Sequence, residues 1–345
     1  MTTTPSGDWK EIVAPGEDAA FEKLGAELAQ IGKERDGGEL KHRALHPKRH
    51  FGARATLEID DGLPEQAKQG LFAKPGRHHA YVRFSNGAGR FQHDREPDLR
   101  GFAIKVLDVD GKKVLPSGSG AEARTQDFLL VDTPKIPFKS VDEFMAIARA
   151  GKEPKKLPQR LIKELGFFAT LGLIGRVLGT VKGKRGTLLD LDYYTAAAIA
   201  FGPYAARLSL VPKHDRDATA KAGAGEDYLR EDGIARHGKH AVRFELRAQF
   251  FTSEGETPIE RSDVEWSSPW VKLGTLTLEP ASSDAAKREA LDAFVEKASF
   301  DPWHALVEHR PLGSVMRARK FAYYASTQAR HASGEPDGTE WAGFA

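Results

Sequence analysis

The chain has 345 residues, with 51 Lys and Arg against 49 Asp and Glu and no cysteine. Disulfides and thiolate metal ligands are therefore excluded, and a formal charge of +2 gives no nucleic-acid footprint. The length suits one large barrel-based domain or two domains. The polar stretch Met1–Glu17 has no basic region leading into an apolar one, so no signal peptide is evident and the expected location is the cytoplasm.

Residues 17–35 place Phe21, Leu24, Leu28 and Ile31 on one helical face. Segments of β character follow at 53–59, 80–85, 102–109 and 127–131, separated by turns such as Asp60-Asp61-Gly62 and Asp110-Gly111. Residues 140–200 read mainly as helix, with breaks near 152–158. They hold the most apolar run, Leu165–Gly179, which carries Arg176. That run is shorter than the ~20 residues of a membrane span, so a buried or interfacial helix is expected and no stable membrane insertion. Lys182–Arg185 and the small-residue stretch Ala218–Gly225 read as exposed loops. Strand character returns at 205–211, 242–251 and 273–278. A helix is expected from about Ser283 to Ala298, with Asp284 in its first turn, and a last one from about Ser314 to Arg330. Residues 1–16 and 331–345 read as loose tails. These elements predict one α+β domain over 1–345, with seven or eight antiparallel strands closing into a barrel interrupted by helical insertions.

Two groups of residues carry chemistry. The last helix contains Arg319 and Tyr323, four apart and so on one face. The guanidinium can sit against the phenol oxygen and favour the phenolate, a hard ligand for ferric iron. A core tyrosine on an amphipathic helix would give the same pattern. The second group comprises Arg43-Ala44-Leu45-His46 before the first strand, Val82-Arg83-Phe84-Ser85 at the end of the second, and Asp98-Leu99-Arg100-Gly101-Phe102-Ala103-Ile104-Lys105 in the third. A histidine at a strand entrance can be an acid/base, and arginines on adjacent strands can hold a dianion. Taken singly, each is also an ordinary capping or surface residue.

Together, and in this order across residues 43–330, these stretches resemble the catalase superfamily. Thr125-Gln126-Asp127-Phe128, Phe300-Asp301-Pro302-Trp303 and His309-Arg310-Pro311-Leu312-Gly313 are most similar to its small bacterial catalase-related branch. The resemblance implies an antiparallel eight-stranded catalase-like barrel ending in a haem-ligand helix, with haem b as cofactor. Tyr323 would be the proximal iron ligand and Arg319 would hydrogen-bond its oxygen. His46 would be the distal acid/base, with Ser85 orienting it. Arg43, Arg83 and Arg330 would hold the propionates, and Leu45 would pack on the porphyrin.

One departure bears on activity. The family's distal asparagine aligns with Arg124, and the single asparagine of the chain, Asn86, lies at the end of the second predicted strand. An arginine can stabilise a departing oxygen but does not copy an amide's geometry toward a second peroxide. The expected function is therefore a haem peroxidase acting on hydrogen peroxide or organic hydroperoxides with a small organic reductant, and with weak catalase activity. Arg124 would be a third catalytic residue beside His46 and Ser85. The alternatives are a fatty-acid hydroperoxide lyase or allene oxide synthase-like enzyme, with Leu165–Gly179 lining a lipid channel, and a non-catalytic haem-binding protein. Assembly into a homo-oligomer is compatible with the sequence.

Overall fold

The computed structural model describes residues 4–115, 123–181, 186–214, 216 and 222–345. The Lys182–Arg185 loop expectation, and the part of the small-residue stretch at 218–221, lie outside them. Helix α1, Glu17–Arg35, has Glu17 and Asp18 in its first turn and Lys33 and Arg35 in its last, signs that complement the helix dipole. Strands β1 (Arg49–Ile59), β2 (Gly76–Asn86), β3 (Arg100–Leu107) and β4 (Thr125–Val131) form an antiparallel meander. Three insertion helices follow: α2 (Val141–Ala150), α3 (Leu157–Leu165) and α4 (Phe167–Thr180). The sheet resumes with β5 (Tyr193–Tyr194), β6 (Ile199–Phe201) and β7 (Tyr204–Pro212). Helix α5 (Tyr228–His237) leads to β8 (Val242–Phe250) and β9 (Trp270–Leu278), and the chain ends with α6 (Ala285–Lys297) and α7 (Ser314–Ala329).

The sheet closes because β1 pairs with β9 while β5 pairs with both β4 and β7. Eight strands make the ring, and β6 extends β7 as a hairpin outside it. The expected eight-stranded antiparallel barrel is thus present. Its two shortest strands, β5 and β6, fall in the stretch that reads as helix. Two or three residues carry no usable periodicity, and their conformation is fixed by partners such as Val131 and Leu210.

Alternation along the strands separates two faces. Phe84 stacks on Phe51 and packs against Phe102, with ring centroids at 4.6 and 4.4 Å, and Phe102 meets Phe244 at 5.3 Å. Side chains therefore fill the barrel interior, as in other small barrels, and a ligand must be met on the outside. The outer face is read from the register. Arg49, Ser85, Gly101 and Val131 form one row across β1–β4, and Gly52, Arg83, Ala103 and Leu129 form the next.

Among the described residues both tails are tied down. The Glu11 carboxylate accepts from the Gly313 amide at 2.8 Å and from Arg317 at 2.7 Å. Trp9 donates to the Pro203 carbonyl at 3.0 Å. At the other end Trp341 stacks on His79 with centroids 3.8 Å apart and lies under Arg54 at 4.3 Å. Glu335 accepts from Thr125 Oγ1 at 2.7 Å and pairs with Lys105. The polar composition that suggested loose tails is consumed by partners distant in sequence.

The apolar run Leu165–Gly179 is also placed differently from the lipid-channel expectation. All but its first two residues lie in α4, whose Leu173 packs with Ala146 and Ala150 of α2 and Leu161 of α3 while Phe168 is 84% exposed.

Closure of the barrel depends on Gly274 in β9. A Cβ there would collide with the Glu58 carbonyl oxygen of β1, which is backbone and cannot swing aside. Gly274→Ala is expected to destabilise the protein by about 1–3 kcal/mol, the usual cost of overpacking. A fall in the urea midpoint at unchanged slope checks this.

Candidate active site on the outer face of the barrel

His46 lies in the loop entering β1 and has φ 55°. A left-handed backbone at a non-glycine residue costs of order 1–3 kcal/mol and persists only when its surroundings enforce it. Pro47 follows directly and further restricts the preceding residue. Three contacts hold this geometry. His46 Nδ1 is 3.0 Å from Ser85 Oγ, and its carbonyl accepts from Arg83 at 2.8 Å. The imidazole lies over Gly101, where a Cβ would stand 2.8 Å from Nδ1 and 2.7 Å from Ser85 Oγ. With Nδ1 engaged by Ser85, Nε2 is the nitrogen left to move a proton. Burial, reinforced by Arg83, Arg319 and Arg43, lowers the imidazole to about 3, so the ring is neutral at physiological pH.

Beside it lies a buried concentration of positive charge. Arg83 is 3% exposed and its Nε is 3.2 Å from Glu296. Arg43 reaches the same carboxylate at 2.7 Å, and Arg49 stands 3.6 Å from it. Arg330 and Arg43 also cap the C-terminal end of α6. Arg330 donates to the carbonyls of Glu296, Lys297 and Ala298 at 2.9–3.1 Å, and Arg43 donates to those of Val295, Glu296 and Ala298 at 2.7–3.3 Å. Cations satisfy the last carbonyls and the negative end of a helix. Burial nevertheless lowers Arg83 to about 9 and both Arg43 and Arg330 to about 10. Burial alone would raise the Glu296 carboxyl, but Arg83, Arg43 and Arg49 hold it below its ordinary value. One carboxylate thus faces several guanidiniums, leaving room in charge for further anionic groups.

Helix α7 supplies the opposite wall. Arg319 donates to the Tyr323 hydroxyl oxygen at 3.0 Å, one turn along the helix, and its guanidinium also touches Met316 Sδ at 3.2 Å. Gly25 of α1 lets the two helices approach closely, since a Cβ there would lie 2.7 Å from the Phe321 carbonyl oxygen. The loop and the helix meet through the Ala44 amide, which donates to Ser326 Oγ at 3.2 Å. Tyr323 acts electrostatically on Arg43, and Arg319 on His46.

The structure therefore gathers His46, Ser85, Arg43, Arg83, Arg319, Tyr323 and Arg330, with Leu45 half-buried in the same loop. Arg124 does not join them. Its side chain is 58% exposed, and its Nε donates to Asp110 at 2.9 Å. It stands one residue before β4, where acidic residues of the incoming turn draw it toward solvent. Asn86 is committed elsewhere. It is buried on the opposite face of β2 from Ser85, bonded to His50 Nε2 at 2.8 Å, to Asp94 at 3.3 Å and to Arg100.

Two residues of the site were not anticipated. Glu296 is one polar residue on a polar helix, and nothing in periodicity marks it. Gly101 did carry a signal, because a glycine inside a strand often marks a close approach. A separate cluster of Asp127, His304 and Glu335 brings three potential ligand atoms within 4.8 Å of one another. Lys105 Nζ sits among them, 2.8 Å from Asp127, and already supplies the cation.

No family profile matches the chain, and no curated sequence does. Solved structures do. A fungal catalase superposes with TM-score 0.63 at 20% identity, covering 98% of this chain and 66% of the other. Catalase A from Saccharomyces cerevisiae gives 0.63 at 16% identity, covering 96% and 67%. A bacterial catalase gives 0.59 at 17% identity, covering 98% and 65%. The chain has the catalase fold and spans about two thirds of the length of these catalases.

Removing the Glu296 charge leaves the guanidiniums around it uncompensated. Glu296→Gln is expected to destabilise the ligand-free protein by about 3–5 kcal/mol, as for a broken buried pair. Added phosphate should restore part of that loss, and denaturant unfolding with and without phosphate checks both effects.

Proposed function

We propose that this protein is a haem-dependent peroxidase that reduces hydrogen peroxide or organic hydroperoxides with a small organic donor, and that its catalase activity is weak. The observation that carries the reading is the buried surplus of Arg43, Arg83 and Arg330 over Glu296, set between a neutral histidine and an arginine-bonded tyrosine. These residues fit haem b. The guanidiniums suit two propionates. Gly101 lets the His46 imidazole lie close to the sheet, with Leu45 in the same loop. Tyr323 would ligate iron from α7.

Bound haem would supply the iron that reduces peroxide, and the chain's residues govern position and protons. His46, held neutral by burial, would take the hydroperoxide proton at Nε2 and return it to the departing oxygen, which leaves as water or an alcohol. Ser85 fixes the ring through Nδ1. Arg319 fixes the Tyr323 oxygen and places a permanent cation beside it. The donor supplies the two electrons the peroxide consumes.

The preference for peroxidase over catalase rests on the distal wall. Asn86 is locked into its network with His50 and Arg100, and Arg124 is turned to Asp110. His46 and Ser85 can serve a first peroxide, but neither residue is an amide that would orient a second. The presence of an acid/base also argues against a haem carrier.

With haem bound, Tyr323→Phe is expected to change the high-spin ferric absorption spectrum and weaken haem retention; an unchanged spectrum would remove Tyr323 as ligand. His46→Ala should retain haem and slow peroxide reduction by ~10² or more. Because the imidazole stays neutral down to about 3, the peroxide rate constant should be flat between pH ~5 and ~8. Stopped-flow measurement across that range would expose any dependence on a histidine titrating near its ordinary value.

A further inference from the structure

Helices α3 and α4 form a hairpin whose outer surface is unlike the rest of the molecule. Phe167, Phe168, Leu171 and Leu178 are 59%, 84%, 61% and 71% exposed. Between them the exposed positions of α4 are Ala169, Gly172, Gly175 and Gly179, so this face carries no charged side chain. The one charged residue of α4, Arg176, is turned inward to Glu143 at 2.7 Å and to the Pro137 carbonyl at 2.8 Å. Gly166, at φ 84°, makes the turn and places the Phe167–Phe168 pair at the hairpin tip, with ring centroids 5.4 Å apart.

The charge around this apolar face is equally one-sided. Lys155, Lys156, Arg160 and Lys163 are exposed on α3 and the turn before it, with Lys156 and Arg160 sharing the single carboxylate of Glu153. In sequence, Lys182, Lys184 and Arg185 follow α4 at once. Residues 152–185 hold nine Lys and Arg against two Asp and Glu, a surplus of +7 in a chain whose total is +2, so the remainder carries −5. An uncharged aromatic face beside the exposed cations of α3 is the pattern of a surface that enters the headgroup region of an anionic bilayer. A helix of 14 residues is about 21 Å long and cannot cross a hydrocarbon core of about 30 Å, so it would lie along the interface. No helix among the described residues is long and apolar enough to span a membrane.

We propose that the α3–α4 hairpin docks this protein peripherally on an anionic lipid surface, with Phe167, Phe168, Leu171 and Leu178 entering the interface and Lys155, Lys156, Arg160 and Lys163 contacting the headgroups. The test is co-sedimentation of the full chain with phosphatidylcholine vesicles, with and without phosphatidylserine. Binding is expected with phosphatidylserine, weakening as salt is raised. The double substitution Phe167→Ser, Phe168→Ser should reduce the bound fraction by ~10-fold or more at an unchanged thermal midpoint, because both rings are exposed. Lys155→Gln with Lys156→Gln should weaken binding only to the anionic vesicles. Failure to sediment with anionic vesicles, or equal binding by the Phe double variant, would overturn the proposal. So would a wild-type dimer that this variant converts to monomer without any vesicle binding, since the face would then belong to a second copy.

Discussion

The site is organised by one carboxylate that serves several cations. Glu296 stands at the end of α6 and neutralises Arg43 and Arg83, which come from the entry loop and from β2. The carbonyls of the same helix end take the remaining N–H groups of Arg43 and those of Arg330. Burying guanidiniums is costly unless they are paired and hydrogen-bonded, and here the pairing ties together four segments far apart in sequence. That tie holds the His46 loop against β2 and anchors the end of α7 beside it. The pairing is also incomplete in charge, and this turns a structural device into an anion-seeking one.

The barrel explains why the site lies where it does. Its interior is closed by Phe51, Phe84, Phe102 and Phe244, so chemistry can occur only on the outer face. There the residues shrink from Arg83 to Ala103 and from Ser85 to Gly101 as the rows pass from β2 to β3. The imidazole of His46 uses that space, and the strained backbone at φ 55° is held by Ser85, Arg83 and the missing Cβ of Gly101. A histidine supported this way does not depend on the mobility of its loop. The outer face away from the site is used just as fully. The C-terminal segment crosses it, with Glu335 on Lys105 and Trp341 on His79.

How much was legible in the sequence depended on how local each feature is. Helices α1, α6 and α7 fall about where the sequence places them, with acids in the first turn of α1 and Asp284 capping rather than entering α6, and seven of the nine strands show in alternation and turn residues. Arg319 and Tyr323 were readable as a pair because helical spacing alone brings residues four apart together. His46, Ser85, Arg43, Arg83 and Arg330 were readable as a set only through the order of their motifs. Glu296 was invisible, because an acidic residue on a polar helix looks the same whether it faces water or three arginines. Arg124 aligned with a distal position, yet Asp108 and Asp110, brought beside it by the β3–β4 turn, draw it to the surface.

The residue types, their spacing along helices and strands, and the charge surplus of residues 152–185 are properties of the chain itself, since they depend on neighbours within a few positions. The burial that keeps His46 neutral, the convergence on Glu296, and the outward aspect of Phe167 and Phe168 exist only once the barrel closes and the helices pack. Each depends on groups tens to hundreds of residues apart. A charge or a ring acquires its meaning from the solvent it loses or keeps, and that is settled by packing.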